Sequence, residues 1–319
     1  MGLVLAELVR QPWAMTPTAL GFMSDVLGRW AGGTRLDSDS VEALIGSGPA
    51  DTQARRREAY DRRTGVAVLP LYGVLAHRAH MVSRVSGAGC TSTELFARAF
   101  EDALADPAVR SIVIDVDSPG GAVAGTVELA DRIHAARAKK PIVAVVNATG
   151  ASAAYWIASA AAEVICTPSG MVGSIGVLAV HEDRSKALQR RGVAFTLIHA
   201  GRFKVEGNSL APLGADARSE MQRTVDQAYA RMVGSIGRYR GRTAAEVAAQ
   251  FGQGRMLDAR AALKAGMVDR IATLDDTMLR MSGARPLSVV PAGARAAHTP
   301  RRAAAAARLM LVQRPRLIR

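Results

Sequence analysis

One serine of the chain lies in a setting that suits a nucleophile. Ser152 lies in the small-residue segment 149–154, between an apolar run that ends at Val146 and a stretch of helical spacing. A serine at such a strand-to-helix turn presents its hydroxyl at a helix start, where the helix dipole and the N–H of Ala153 favour a developing oxyanion. A serine that only caps the helix would occupy the same position. The segment alone leaves both interpretations open.

A nucleophilic serine needs a base, and the chain offers histidines and a lysine. His181 and His199 lie near predicted strand ends, but neither has an adjacent acid that clearly orients it. Lys204 lies in a short glycine-bounded loop after an apolar run. A lysine serves as a base only when burial or neighbouring charges leave it neutral, whereas most loop lysines are solvated and charged. A Ser-His-Asp triad and a Ser-Lys pair both remain open from these segments.

A second strand-to-helix turn carries the residues Asp117-Ser-Pro-Gly-Gly121. Ligands of open α/β sheets bind at such strand ends. Gly120 and Gly121 let backbone N–H groups face a cleft without an intervening Cβ, which suits an oxyanion hole or a phosphate site. Pro-Gly-Gly is also an ordinary turn, so the motif alone decides nothing.

Strands alternating with helices must position these residues. Apolar runs predict strands at 66–71, 111–116, 142–146, 164–166 and 194–199. Helical spacing predicts helices at about 95–104, 123–138, 152–162, 183–191 and 215–239. Continuous apolar strands between helices are typical of a parallel sheet covered on both faces, so the predicted fold class is α/β.

Several helix ends carry sequence signals. Residues 91–94 have the spacing of a capping box, and Thr243 with Glu246 offers a second one. Asp106-Pro107 is expected to end the first helix. Gly266 is expected to stop a helix over residues 259–264, which follows a short strand at Met256 and precedes a closing strand near Ile271.

Composition predicts three regions. Residues 1–62 show no sustained period and are predicted to form an N-terminal extension with one or two short helices, whereas residues 63–283 carry the α/β pattern. Residues 284–319 form a basic, disordered tail in this interpretation, because residues 285–319 contain eight arginines and no acid. This tail is the segment suited to nucleic acid, an anionic surface or an acidic partner. The 4% aromatic content argues against an aromatic nucleic-acid platform elsewhere.

The cysteine and hydropathy patterns bound the compartment. Cys90 and Cys166 are too few for a disulfide framework and lack metal-ligand spacing, so neither metal nor cofactor is predicted. No apolar run reaches the roughly 18 residues of a membrane span. Glu7 and Arg10 interrupt the N-terminal apolar run early, which argues against a signal peptide. We therefore expect a cytoplasmic protein without a membrane anchor.

Four motifs, taken in order, resemble the signal peptide peptidase A family of serine-lysine peptidases, which share the Clp protease and crotonase fold. They are Asp117-Ser-Pro-Gly-Gly121, Gly150-Ala-Ser-Ala-Ala-Tyr155, Gly173-Ser-Ile-Gly-Val177 and Gly201-Arg-Phe-Lys204. The similarity runs from about Val66 to Ile271. Family members usually have Gly-Gly after the nucleophile, where this chain has Ala153-Ala154.

The resemblance implies a role for each matched residue. Ser152 would be the nucleophile and Lys204 the general base, oriented by Ser174. The N–H groups of Gly121 and Ala153 would form the oxyanion hole. The segments expected to flank an extended peptide by strand addition contain Gly120, Gly173, Ile175, Gly176 and Val177. The histidine of Clp proteases would fall within residues 173–180, which contain none, so lysine becomes the favoured base.

Residues 65–70, 117–125 and 204–208 resemble one branch in particular, the capsid assembly proteases of tailed phages of the minor capsid protein C type. That resemblance implies a head maturation protease acting on scaffold and capsid proteins in the host cytoplasm or prohead. It also implies a ring-shaped homo-oligomer whose neighbouring protomers complete each dyad. The alternatives are a signal-peptide-degrading peptidase without an anchor, a non-catalytic capsid scaffold protein and a crotonase-type acyl-CoA enzyme. Ser152 and Lys204 argue against the last two.

Overall fold

The computed structural model describes residues 12–21, 60–61, 64–78 and 90–283. These residues form a mixed α/β fold with two β-sheets and flanking helices, as predicted. The predicted basic tail lies outside the described residues. Among the described residues, no helix combines the length and the apolar character needed to cross a membrane.

The elements follow one another in chain order. The strands of the described residues are β1 (Trp13–Met15), β2 (Tyr60–Asp61), β3 (Val66–Tyr72), β4 (Val74–Ala76), β5 (Cys90–Ser92), β6 (Ser111–Ser118), β7 (Gly120–Ala122), β8 (Ile142–Ala151), β9 (Glu163–Cys166), β10 (Met171–Gly173), β11 (Met256–Asp258) and β12 (Arg270–Ile271). Residues 17–21 form a short helix in the region where the sequence predicted one or two. The α-helices that follow are α1 (Thr93–Ala105), α2 (Thr126–Ala136), α3 (Ala153–Ser159), α4 (Ser185–Arg190), α5 (Ala215–Arg240), α6 (Ala244–Gln250), α7 (Ala259–Ala265) and α8 (Leu274–Met281).

The larger sheet contains the parallel strands that the apolar runs predict. β3, β6, β8 and β9 are parallel neighbours, and β10 pairs in parallel with the end of β8. Ile112 and Ile114 point into the main core, whereas Val113 and Val143 pack into a second cluster that Met278 of α8 helps to cover. Both faces of the sheet are therefore apolar because both are covered.

The structure confirms some of the predicted helix ends and contradicts one. The capping box of Thr243 and Glu246 is present, and Gly266 ends α7 with a left-handed φ of 75°. The capping box predicted at residues 91–94 does not form. The N-cap of α1 is Ser92, whose hydroxyl accepts a hydrogen bond from the N–H of Leu95. The Thr91 hydroxyl instead donates to the Tyr72 carbonyl at 2.6 Å.

The strand predicted at residues 194–199 is absent from the structure. Residues 193–199 have no regular secondary structure, and Phe195 and Ile198 are 59% and 97% exposed. The apolar run predicted burial, but no strand of the described residues pairs with it. The preceding predicted helix is also shorter, at Ser185–Arg190. The chain therefore presents an apolar segment to its surroundings that monomeric proteins rarely leave uncovered.

The smaller sheet has the order β1-β7-β4-β5. β7, which carries Gly120 and Gly121, pairs antiparallel with β1 and in parallel with β4. β1 lies within the region predicted as an N-terminal extension, and β2 from the same region pairs with β3. These parts of residues 1–62 therefore belong to the sheets.

Candidate active site

Ser152 joins β8 to α3 in a strained backbone conformation. Its φ and ψ are 55° and −116°, a combination that costs a non-glycine residue about 1–3 kcal/mol. The Ser152 N–H donates to the Gly173 carbonyl at 2.7 Å, and the Trp156 N–H donates to the Ser152 carbonyl at 2.9 Å. Hydrolases present a nucleophilic serine at a strained strand-to-helix turn of this kind.

The Ser152 hydroxyl does not cap the helix. It forms no hydrogen bond with an N–H group of α3 and instead donates to the Gly176 carbonyl at 3.3 Å. The interpretation of Ser152 as a helix cap is therefore wrong. Ala153 is the first residue of α3, so its N–H has no acceptor in a preceding helical turn and remains suited to an oxyanion.

The Asp117–Gly121 turn lies beside the residue that precedes Ser152. The Ser118 hydroxyl accepts from the Gly120 N–H at 3.1 Å and donates to the Gly73 carbonyl at 2.6 Å, which fixes the turn. A Cβ on Gly120 would lie 2.9 Å from the Ala151 carbonyl oxygen, and one on Gly121 would lie 2.0 Å from the Leu75 carbonyl oxygen. Both positions therefore require glycine because backbone atoms occupy the space of a side chain.

The segment after β10 forms the other side of the site. Gly173 pairs with Ala151 in parallel register, and its φ is 139°. Ser174 is buried with a φ of 53°, and its N–H donates to the Arg255 carbonyl at 2.9 Å. The structure therefore brings together Ser152, Gly120, Gly173, Ser174 and Gly176. Of the remaining predicted peptide contacts, Ile175 is buried and Val177 is partly buried.

Gly173→Ala is expected to destabilise the fold by at least about 2 kcal/mol. A Cβ there would lie 2.3 Å from the Arg255 carbonyl oxygen, in a conformation that alanine rarely adopts. Gly176→Ala is the matched control, because a Cβ on Gly176 has no atom within 4 Å, and it should change stability by less than about 0.5 kcal/mol. Urea unfolding of both variants measures the difference. Equal midpoints would contradict the proposed requirement for glycine at 173.

None of the candidate bases Lys204, His181 and His199 forms a hydrogen bond with the Ser152 hydroxyl among the described residues. Lys204 is exposed, in a turn where its N–H donates to the Gly201 carbonyl at 3.1 Å, and its Nζ has no hydrogen-bond or ion-pair partner among the described residues. His199 Nδ1 lies 3.1 Å from the same carbonyl oxygen. His181 is partly buried, and neither ring nitrogen has a hydrogen-bond partner in the described part of the chain. Within the described residues, the Ser152 hydroxyl therefore has no hydrogen bond to any of these three candidate bases.

The cysteine thiols and the acidic side chains give less support for catalysis than Ser152 does. Burial raises the pKa of the Cys90 thiol to about 12 and that of Cys166 to about 11, so neither thiol ionises near neutral pH. The described residues contain no group of three or more side chains arranged to hold a metal ion. Burial also raises the pKa of the Asp117 carboxyl, although the carboxyl accepts from the Thr149 N–H at 3.2 Å.

Sequence reasoning missed one segment that lies at the site. β1 pairs with Gly120–Ala122, and Trp13 forms a further bridge with Leu178. Three strand residues are too short to show a period. The available signal was the pair of prolines at 12 and 17, which favours extended backbone in the residues before them.

Known proteins resemble this chain over most of its length. It is 33% identical over 230 residues to the head-tail preconnector protein GP5 of Enterobacteria phage P21, covering 72% of this chain and 45% of that protein. It is 32% identical over 257 residues to the capsid assembly protease C of Escherichia phage lambda, covering 79% of this chain and 56% of that protein. The chain thus spans about half the length of these curated relatives.

One solved structure and one family model also resemble this chain. The structure is a mutant of the membrane-bound stomatin-specific protease 1510-N, with a TM-score of 0.40 and 16% identity, covering 68% of this chain and 83% of that one. The model of peptidase family S49 matches residues 134–288, a range that contains both Ser152 and Lys204. Residues 134–288 of this chain therefore match peptidase family S49.

Proposed function

We propose that this chain is a serine endopeptidase that uses Ser152 as nucleophile and Lys204 as general base. The observation that carries the proposal is the conformation of Ser152, which is strained and buried. Ser152 also lies within the range matched by the S49 model. Strain of this kind persists where the surrounding structure imposes it, and it is concentrated at functional sites.

The proposed hydrolysis uses one nucleophile, one general base and two backbone N–H donors. The Ser152 Oγ attacks a peptide carbonyl carbon while Lys204 takes the hydroxyl proton and later passes it to the leaving amine. The N–H groups of Gly121 and Ala153 stabilise the oxyanion that forms. Water then attacks the acyl-enzyme ester, which releases the new carboxylate and restores the Ser152 hydroxyl.

We propose that Lys204 reaches Ser152 of a neighbouring protomer. In one chain Lys204 is exposed and follows the uncovered apolar segment 193–203, which includes Phe195, Ile198 and Phe203. An exposed apolar segment marks a protein interface, and a lysine beside it becomes less solvated when the interface closes. Ser174 would then orient the lysine. A ring of protomers satisfies both requirements with one repeated contact.

The proposed substrates are extended segments of capsid and scaffold proteins. The names of the phage relatives, a capsid assembly protease and a head-tail preconnector protein, support this assignment. Strand addition along Gly120–Ala122 requires an extended peptide, so folded helical segments should resist cleavage. Incubation with the capsid and scaffold proteins of the same genome, followed by mass spectrometry of the products, tests the substrate class directly.

A mixing experiment tests the shared site. Chains carrying Ser152→Ala and chains carrying Lys204→Ala should each be inactive, and a mixture that exchanges subunits should regain part of the hydrolytic activity. Activity of the unsubstituted protein should also rise more steeply than linearly with protein concentration. Full activity in a species that sedimentation identifies as a monomer, with no recovery in the exchanged mixture, would place the whole dyad in one chain.

A further inference from the structure

Residues 12–16 run as an extended segment between two backbone edges. On one edge the Val123 N–H donates to the Pro12 carbonyl at 3.4 Å and the Thr16 N–H donates to the Pro119 carbonyl at 3.0 Å. On the other edge Trp13 and Leu178 exchange two N–H···O bonds of 2.8 and 2.9 Å. The 12–16 segment therefore adds a strand to both edges at once.

These two edges belong to the segments proposed to bind the substrate. Ala14 is opposite Gly121, between the hydrogen-bonded positions at Val123 and Pro119. Because bonded and non-bonded pairs alternate in an antiparallel ladder, the Gly121 N–H faces the Ala14 carbonyl. Gly121 is also a proposed oxyanion donor. The Ala14 carbonyl thus occupies the place of a substrate carbonyl.

The Ala14–Met15 peptide lies beside Gly120, close to the backbone that precedes the candidate nucleophile. The position of a Cβ on Gly120 is 2.3 Å from the Ala14 carbonyl oxygen and 3.0 Å from the Met15 Cα. The same position is 2.9 Å from the carbonyl oxygen of Ala151, the residue before Ser152. The segment therefore crosses the site rather than lying at its margin.

The side chains of the segment are as fully docked as its backbone. Trp13 and Met15 are 3% and 2% exposed and share a small apolar cluster with Leu20 and Leu178. Ala14 points the other way, into the main core, and is completely buried. The groove thus receives a small side chain opposite Gly121, with large apolar side chains on either side of it.

We propose that the 12–16 segment is an intramolecular occupant of the peptide groove. It keeps the enzyme latent, and an extended apolar segment of a substrate with a small residue opposite Gly121 binds by displacing it. This inference rests on the proposed function of the same groove. A peptide can bind only to the fraction of molecules whose groove is empty, so the apparent affinity for the peptide falls with that fraction. A substitution that weakens binding of the 12–16 segment should therefore raise the affinity for the peptide.

The first experiment uses a fluorescent peptide with the sequence of residues 10–18 and the full chain carrying Ser152→Ala. Adding Trp13→Ala, which removes the larger apolar anchor of the segment, should tighten peptide binding by about tenfold or more. Leu279→Ala is the control, because Leu279 is a partly exposed leucine of α8 that lies outside the apolar cluster of the segment. It should leave peptide binding unchanged. Equal peptide affinities with and without Trp13→Ala, in folded protein, would overturn the proposal.

A reversible lock tests the inference without removing the anchor cluster. Trp13 and Leu178 form a hydrogen-bonded antiparallel pair, for which the Cα separation is about 5.5 Å, within the range of a disulfide. The Trp13→Cys/Leu178→Cys chain should lose peptide binding and hydrolysis when oxidised and recover both on reduction, whereas Trp13→Cys alone should not respond. Undiminished binding by the oxidised chain would overturn the proposal. Hydrolysis that never depends on Ser152 would instead refute the proposed function, because the binding measurements do not require catalysis.

Discussion

Replacement of Ser152 by alanine is expected to abolish peptide hydrolysis, with a loss in rate on the order of 10⁶-fold. The hydroxyl is the attacking atom in the proposed mechanism, and no neighbouring thiol can replace it, because burial raises the pKa values of both cysteine thiols. The fold should persist, since alanine and serine carry a similar penalty at a φ of 55°. Hydrolysis of an unfolded protein, followed by gel analysis, measures the effect.

Ser159 provides a matched control for this experiment. It is also a buried serine of α3, but its hydroxyl donates to the Trp156 carbonyl at 2.7 Å, inside the helix. Ser159→Ala should therefore keep hydrolytic activity that Ser152→Ala loses. Ser152→Gly separates strain from chemistry: it should be inactive yet more stable to urea than Ser152→Ala, because glycine tolerates a positive φ. Turnover by Ser152→Ala near that of the parent would remove Ser152 from the mechanism.

Replacement of Lys204 by arginine is expected to reduce hydrolysis by about 10²- to 10⁴-fold, the usual contribution of a general base. Arginine keeps the positive charge and much of the length, but its guanidinium does not give up a proton in proteins. Lys264→Arg, at another exposed lysine, is the matched control and should have no effect. The variants His181→Ala and His199→Ala should remain active.

The opposite pattern would reassign the base. Activity retained in Lys204→Arg and lost in His181→Ala would favour a histidine as the base. Both ring nitrogens of His181 lack a hydrogen-bond partner among the described residues, so either could accept a proton. Kinetics should be measured at several protein concentrations, because the proposed interface also involves Lys204. A defect that disappears at high concentration would indicate weakened assembly rather than a missing base.

The core sheet was predictable because its strands are apolar on both faces. The runs at β3, β6, β8 and β9 lie between helices, and period and length together favour parallel strands. Ser152 and Gly120 could be placed at the strand ends by the same reasoning, since the ends of parallel strands meet at one edge of a sheet. The conformation of Ser152 was not predictable, because local sequence does not specify that its hydroxyl faces Gly176 rather than the helix.

The strand predicted at 194–199 does not form in one chain. Hydropathy indicates that Phe195 and Ile198 prefer to be buried, but it does not indicate which molecule buries them. In one chain nothing among the described strands pairs with this run, and the proposed ring would supply the cover. β1 presents the converse case, because three residues of a predicted extension gained their structure only from distant partners.

The pairing of Gly173 with Met256 sets an order of events during synthesis. Translation delivers the 12–16 segment first, Ser152 much later, and the Met256–Asp258 strand later still. Gly173 and Ser174 cannot be fixed against Arg255 until that last strand has left the ribosome. A nascent or prematurely terminated chain therefore lacks one wall of its site, while the segment proposed to fill the groove is already available. We expect such fragments to be unable to digest the neighbouring nascent chains of a polysome.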